Sequence, residues 1–353
     1  MPPEQLLEKL LTVVEREGAS DLHLVPGRQP MIRSRTELLP LANLDVLTDQ
    51  DARGLLQAMV TEERFSGFLN DLELDFSYKF RENLRFRGNA YVQDGQVTIA
   101  LRAIGQVRAF DELNLPPILK DLSMNKQGFF LVVGPVGQGK STTLAAMLQH
   151  INQTRRENIV TIEHPIEYIF QDENSVISQR SVGEDTHSFE AALHSIFRQD
   201  VNVIMVGEMR SLETIQTAVT AAETGHLVFS TLHTNNAAQT VDRIIDSFPA
   251  SQQDQIRTQL AGSLLGIFSQ RLVPTVAGSL MPAYEILIKN NAVANLIREK
   301  RTHEIETVIE TGHAEGMISM NQSLMGLVRA GHISVDTAKR YSLNPKGLEH
   351  MVS

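Results

Sequence analysis

Gly134, Pro135, Val136, Gly137, Gln138, Gly139, Lys140 and Ser141 spell GxxxxGK[ST] between an apolar run, Phe129–Val133, and a stretch rich in helix formers, Thr142–Gln149. Strand, glycine-rich loop and helix in that order are what a phosphate-binding loop requires. The glycines let backbone N–H groups turn inward around a phosphate chain. The helix start, Thr142 included, adds unpaired donors and a partial positive charge. Lys140 is expected to meet the β- and γ-phosphates, and the Ser141 hydroxyl to ligate Mg²⁺. The chain is expected to bind a nucleoside triphosphate.

Hydrolysis needs more than a cradle. It needs an acid near the metal and a carboxylate that orients the attacking water. Two apolar runs end in acids. Val203–Val206 leads through Gly207 to Glu208, and Ile159–Ile162 leads to Glu163, with Glu167 just beyond Pro165. In a parallel sheet both would surface at the carboxyl edge, where ligands bind. Solvated strand-end acids are the bland alternative for either segment, and the two segments together argue against it. His226 and His233 bracket another run, Leu227–Thr231, at a spacing of seven that matches no single-turn metal motif. Arg85 and Arg87 share one strand face and Arg102 lies on the next strand; on the residues alone a solvated basic face is favoured over an arginine presented to phosphate.

These residues hang on two kinds of element pattern. Leu6–Glu17 has helical spacing, Asp21–Leu24 and Met31–Arg33 read as short strands, and Thr48 and Thr61 each start a helix. From Leu72 the period changes to two, and Leu84–Val92 and Gln96–Ile104 flank the Asp94-Gly95 turn. Residues 1–104 thus read as a small α+β domain with a largely antiparallel sheet, and 105–117 as a linker. From residue 118 to 353 strands alternate with helices at Ser188–Arg198, Leu212–Thr224 and Ala237–Ser247. That alternation implies a mostly parallel sheet between helices, an α/β fold. After Ser251 the chain reads as chiefly helical apart from a strand at Leu280–Leu287.

Composition narrows the classes. The formal charge of −10 argues against a nucleic-acid motor, which carries a basic footprint. No apolar stretch approaches the ~20 residues of a membrane span, and the first residues lack the layout of a signal peptide. The chain has no cysteine, so disulfides and cysteine zinc sites are excluded. A cytoplasmic location is the expectation.

Taken together and in order, these segments resemble the secretion-superfamily (GspE/PulE-type) ATPases, most closely the type IV pilus retraction (PilT/PilU-like) group. The likeness runs from Ser20–His23 through Leu113–Pro117, the phosphate loop, Thr161–Glu167, Gln179-Arg180, Gly207–Arg210, Ala221–His233 and Asp242-Arg243 to Thr311–Met317. It implies an N-terminal PAS-like domain, a RecA-like P-loop NTPase domain with ATP bound between the two, and a homohexamer. It implies an ATPase that powers pilus retraction and twitching motility at the inner face of the cell membrane. Its partners there are an inner-membrane platform protein and, in some systems, a second pilus motor. By the same resemblance Glu208 is the Walker B acid beside Mg²⁺, and Glu167 is the catalytic base. His226 and His233 are the "His box" pair, and Arg87 and Arg102 are presented to nucleotide across a domain interface.

The chain departs from the family pattern at His164, Asn202, Ser211, His194 and Ala294. An ATP-binding accessory paralogue of a pilus motor is therefore the alternative of another class. A pilus-assembly or type II secretion ATPase is the alternative within the enzymes. The absence of cysteine and a start close to the first domain favour retraction over the latter.

Overall fold

The computed structural model describes residues 2–34, 37–81, 84–209 and 211–352. Arg210, part of the Gly207–Arg210 segment, lies outside the described residues. The chain divides into two compact units, Met1–Gln106 with Pro165–Ile169, and Val107–His164 with Phe170–Ser353.

In the first unit, α1 (Pro3–Glu17) buries Leu7, Leu10, Leu11 and Val14, one helical stripe, and ends at Gly18 with φ 58°. Six strands follow: β1 (Asp21–Leu24), β2 (Met31–Ser34), β3 (Glu37–Pro40), β4 (Glu73–Arg81), β5 (Leu84–Gln93) and β6 (Gln96–Ile104). Between β3 and β4 lie α2 (Asp49–Met59) and α3 (Glu62–Asp71), with Thr48 and Thr61 as their N-caps. The sheet order is β3-β2-β1-β6-β5-β4, antiparallel at every pairing. The period-two pattern places Phe76 and Phe86 in the core. Gly88 faces Phe76 across β4 and β5, where an added Cβ would lie 2.3 Å from the ring. Strand β3 was not expected from the sequence. All four of its residues are exposed, so it carries no alternation to read.

In the second unit, α4 (Ile118–Ser123) precedes β7 (Gly128–Val133), and α5 (Lys140–Thr154) follows the phosphate loop. Then come β8 (Asn158–Glu163), β9 (Val176–Ser181), α6 (Phe189–Ile196), β10 (Val203–Val206), α7 (Leu212–Glu223), β11 (Leu227–Leu232), α8 (Ala237–Asp246) and α9 (Ala250–Ser263). Strands β12 (Leu264–Pro274) and β13 (Leu280–Ile288) close the sheet. The helices α10 (Asn291–Arg298), α11 (Ile305–Thr311), α12 (Met320–Arg329), α13 (Val335–Tyr341) and α14 (Pro345–Val352) follow. The order is β13-β12-β7-β11-β10-β8-β9, parallel except for β13. Apolar clusters fill both faces, which is why β7, β10 and β11 are continuous buried runs rather than alternating ones.

The expectation of chiefly helical structure after Ser251 is corrected here. Leu264–Pro274 is an eleven-residue strand, parallel to β7 and antiparallel to β13. Its apolar run is buried on both faces, and periodicity alone does not tell such a strand from a buried helix.

Candidate functional site: a phosphate loop and the strand ends beside it

The parallel register sets what can meet. Phe129 to Val133 pair with Val228 to Leu232, and Val203 to Val206 pair with both Leu227 to Ser230 and Ile159 to Ile162. The phosphate loop, His233, Glu208 and Glu163 therefore leave the sheet at the same carboxyl edge.

In the loop, Gly134, Gly137 and Gly139 have φ of 148°, 78° and 78°, values that L side chains avoid. An added Cβ at Gly134 would lie 2.4 Å from the Gln270 carbonyl oxygen. Gly139 is the N-cap of α5, so the helix N-terminus opens onto the loop. Lys140 is buried, and its Nζ donates to the carbonyls of Gly134 (2.9 Å) and Pro135 (2.8 Å). The same ammonium lies 3.3 Å from His233 Nδ1. Gln138 and Gly139 are half-buried, Val136 and Ser141 exposed.

The acid segment after β10 is held on both sides. Gly207 N–H donates to Ile162 O (2.8 Å), and Thr231 Oγ1 donates to Gly207 O (2.6 Å). Glu208, half-buried, follows directly. Next, Ser211 caps α7 and donates to the Glu190 carboxylate at 2.5 Å, with Thr214 donating at 2.8 Å. Ser211 first, then the Glu190 backbone N–H and Thr214, hold the Glu190 carboxyl down to about 2. Glu163 is buried and accepts from Thr161 Oγ1 (2.7 Å) and Gln179 Nε2 (3.3 Å). Glu167 is exposed, and its segment belongs with the first unit, bridged there through Ile169 to Gln106.

The two histidines part company. Leu227 pairs with Gly128 at the start of β7, so His226 lies at the amino edge, roughly 20 Å from His233 along the strand. Its Nδ1 is 3.0 Å from Ala221 O, and its ring meets Phe197 edge-on. Within this chain His226 thus ties the α7–β11 turn, away from the phosphate loop. The departure at Asn202 lies at that amino edge too, where its Oδ1 accepts from Asn158 N–H at 2.8 Å. Aspartate would accept the same bond, so Asn202 says nothing against hydrolysis.

In the first unit, Arg33, Asp21, Arg102 and Arg87 stand side by side across four strands. Arg102 Nε donates to Asp21 Oδ1 at 2.9 Å, while its side chain stays 71% exposed. Burial works to raise the Asp21 carboxyl, but hydrogen bonds from Ser20 and Arg102 outweigh it and hold the group below its ordinary value. Arg87 is exposed. Three arginines to one carboxylate leave this row cationic.

No group of three or more metal-ligating side chains gathers among the described residues. Magnesium in a phosphate-loop site is held by a hydroxyl, phosphates and water rather than a protein cage. The exposed Ser141 hydroxyl at the start of α5 and the half-buried Glu208 fit that pattern. Sequence reasoning missed Thr143, Gln270 and Glu190 as parts of this site. Polar residues inside apolar runs were the available signal.

The profile of the type II/IV secretion system protein family matches residues 90–339. The type IV pilus retraction ATPase PilT of Pseudomonas aeruginosa is 41% identical over 341 residues, covering 96% of this chain and 99% of the relative. A twitching motility protein of Neisseria gonorrhoeae is 43% identical over 321 residues, covering 90% and 86%. The crystal structure of the pilus retraction motor PilT with bound ADP superposes with a TM-score of 0.90 at 42% identity, covering 98% of this chain and 99% of that one.

Proposed function

This chain belongs to the type II/IV secretion system protein family, and we propose that it is an ATP-hydrolysing motor that drives type IV pilus retraction and twitching motility. The observation that carries the reading is near full-length similarity to a retraction ATPase, joined to an intact phosphate loop whose lysine sits beside His233.

In this reading the backbone N–H groups of residues 134–142 and Lys140 bind the phosphates of ATP. Ser141 and Glu208 hold Mg²⁺, partly through water. The bound metal supplies charge neutralisation for the transferring phosphoryl group. Glu167 accepts a proton from the attacking water. Arg87 and Arg102 serve nucleotide held by a neighbouring subunit of a homohexamer, which completes each site. The chain in this reading comprises a PAS-like N-terminal domain and a RecA-like domain joined through 105–117. No helix among the described residues is long and apolar enough to cross a membrane. In the proposed reading the motor works from the cytoplasmic face, docked on a membrane platform protein, with a second motor ATPase as its optional partner.

The accessory-subunit reading draws on His164, Asn202 and Ala294. His164 is exposed, and Ala294 is buried on α10 among apolar neighbours. Neither alters the phosphate loop. Phosphate release from Mg-ATP by the purified protein, together with complementation of a strain lacking its own retraction ATPase, tests the proposal. Turnover with restored twitching is expected. Tight ATP binding without turnover would leave the accessory reading.

A further inference from the structure

Strand β12 runs on past the end of β7. Their pairing stops at Ser269 opposite Val133, so the β7-facing edge of residues 270–274 is left without a strand partner. The phosphate loop lies along that edge. Gln270, only 3% exposed, accepts a hydrogen bond from the buried Thr143 hydroxyl at 2.6 Å. Its backbone carbonyl is the group that Gly134 approaches too closely for any side chain. Leu272 N–H, a donor the missing strand would have taken, donates to Gln138 Oε1 at 2.7 Å. The loop is thus hydrogen-bonded to β12 on its C-terminal side and packed against it at Gly134.

The alternate residues hold something else. Ser269 Oγ donates to Asn235 O at 2.8 Å, and Arg271 Nη2 donates to Asn235 Oδ1 at 3.1 Å. Asn235 is two residues beyond His233. Across the strand pair, Glu285 stands opposite Ser269 and accepts Ala237 N–H at 2.8 Å. A second Arg271 nitrogen donates to Tyr341 O, at the end of α13. Burial lowers the Arg271 guanidinium from its ordinary value, so its charge is kept there against a cost.

We infer that Ser269–Leu272 is a positioning element that sets Lys140 against His233. Gln270 and Leu272 place the loop bearing the lysine, and Ser269 and Arg271 place the loop bearing the histidine. None of the four need touch nucleotide. The inference rests on the reading of this site as an ATPase centre.

Because the two pairs hold different halves, they predict different kinetics. Gln270→Met keeps the volume but loses the acceptor, and leaves the Thr143 hydroxyl buried without it. Affinity for a fluorescent ADP analogue should fall about tenfold or more, with kcat at saturating Mg-ATP within about threefold. Thr143→Val combined with Gln270→Met should cost less than the sum of the singles, since neither partner is then stranded. Arg271→Met should do the reverse, lowering kcat about tenfold with ADP affinity within about twofold. If Arg271→Met does not fold, Ser269→Ala tests the same loop, and Gln138→Met tests the other. Melting temperature is recorded throughout. Affinity and kcat falling together in every variant in step with melting temperature would mean ordinary structural residues. Unchanged kinetics would overturn the inference as well. Failure of the wild type to bind ADP or turn over ATP would instead remove the ATPase reading itself.

Discussion

Lys140 Nζ, 3.3 Å from His233 Nδ1, joins the end of β7 to the end of β11. The ammonium also turns back onto the Gly134 and Pro135 carbonyls, so phosphate oxygens must replace loop oxygens when nucleotide arrives. Lys140→Ala is expected to weaken ATP binding and abolish turnover. Residual hydrolysis above about a tenth of wild type, a loss of about 1.4 kcal/mol or less, would be too small for a phosphate-clamping charge. His233→Ala should lower kcat about 10²-fold with little change in melting temperature. Steady-state ATPase assays on both variants check the pair.

The two glutamates separate by function. Glu167→Gln keeps size and hydrogen bonding but takes no proton, so ATP should bind as in wild type and hydrolyse slowly. Glu208→Gln removes charge from beside the metal and should impair Mg²⁺-dependent binding as well as turnover. Titrations with and without Mg²⁺ distinguish them. Wild-type turnover in Glu167→Gln would remove it from the base role.

Much of this site was legible because apolar runs that end in glycine or an acid are strand ends. The runs before Gly134, Glu163 and Glu208 were read that way, and the register brings them to one edge. The separation of the two histidines was legible as well: a six-residue strand between two residues puts them at opposite sheet edges. Strand β12 was hidden because Leu264–Phe268 fits a buried helix equally well. With the strand unseen, Gln270 and Arg271 had no place to be assigned. Ser211 stood out only as a departure, because its partner Glu190 lies 21 residues away in sequence.

That partner gives Ser211 a testable meaning. Its hydroxyl is the chief cause of the lowered Glu190 pKa, about 2 against an ordinary 4.5. Stability from this contact is present above pH 4.5 and lost as pH falls through the folded value. Ser211→Asp would keep the helix cap, since aspartate serves there too, but would set two carboxylates together. Its melting temperature at neutral pH should drop by several degrees. Adding Glu190→Ala should restore most of it. A stable Ser211→Asp single variant would show that the contact does not hold the segment after Glu208.

Glu285 makes the opposite pH claim. Burial, reinforced by Glu306 and opposed by the Ala237 N–H, pushes its carboxyl up to about 7. The folded protein therefore keeps a proton that the unfolded chain loses near 4.5. The stability it contributes is whole below that value and is lost as pH rises through about 7. Glu285→Gln keeps an acceptor for Ala237 and cannot ionise. Melts from about pH 4.5 to 8.5 should show the variant equal to wild type or slightly weaker in acid and more stable above neutrality. Parallel curves would place the ionised carboxylate comfortably in the fold.

Arg102, gripped by Asp21 yet largely exposed, is expected to act on nucleotide held by a neighbouring subunit. Catalysis should then belong to the ring, and specific activity should rise with protein concentration until assembly is complete. Subunit mixing gives the sharper test. An Arg102→Ala subunit keeps its phosphate loop, and a Lys140→Ala subunit keeps its arginines. Each alone should be nearly inactive. In mixed rings some interfaces pair an intact loop with intact arginines and should regain turnover, and the same holds for Arg87→Ala if that residue is the one in reach. Titrating wild-type subunits into Lys140→Ala rings identifies a ring that tolerates no dead subunit, because activity then falls more steeply than linearly with mutant fraction. A linear loss combined with no rescue in rings that demonstrably mix would mean the arginines serve only their own chain.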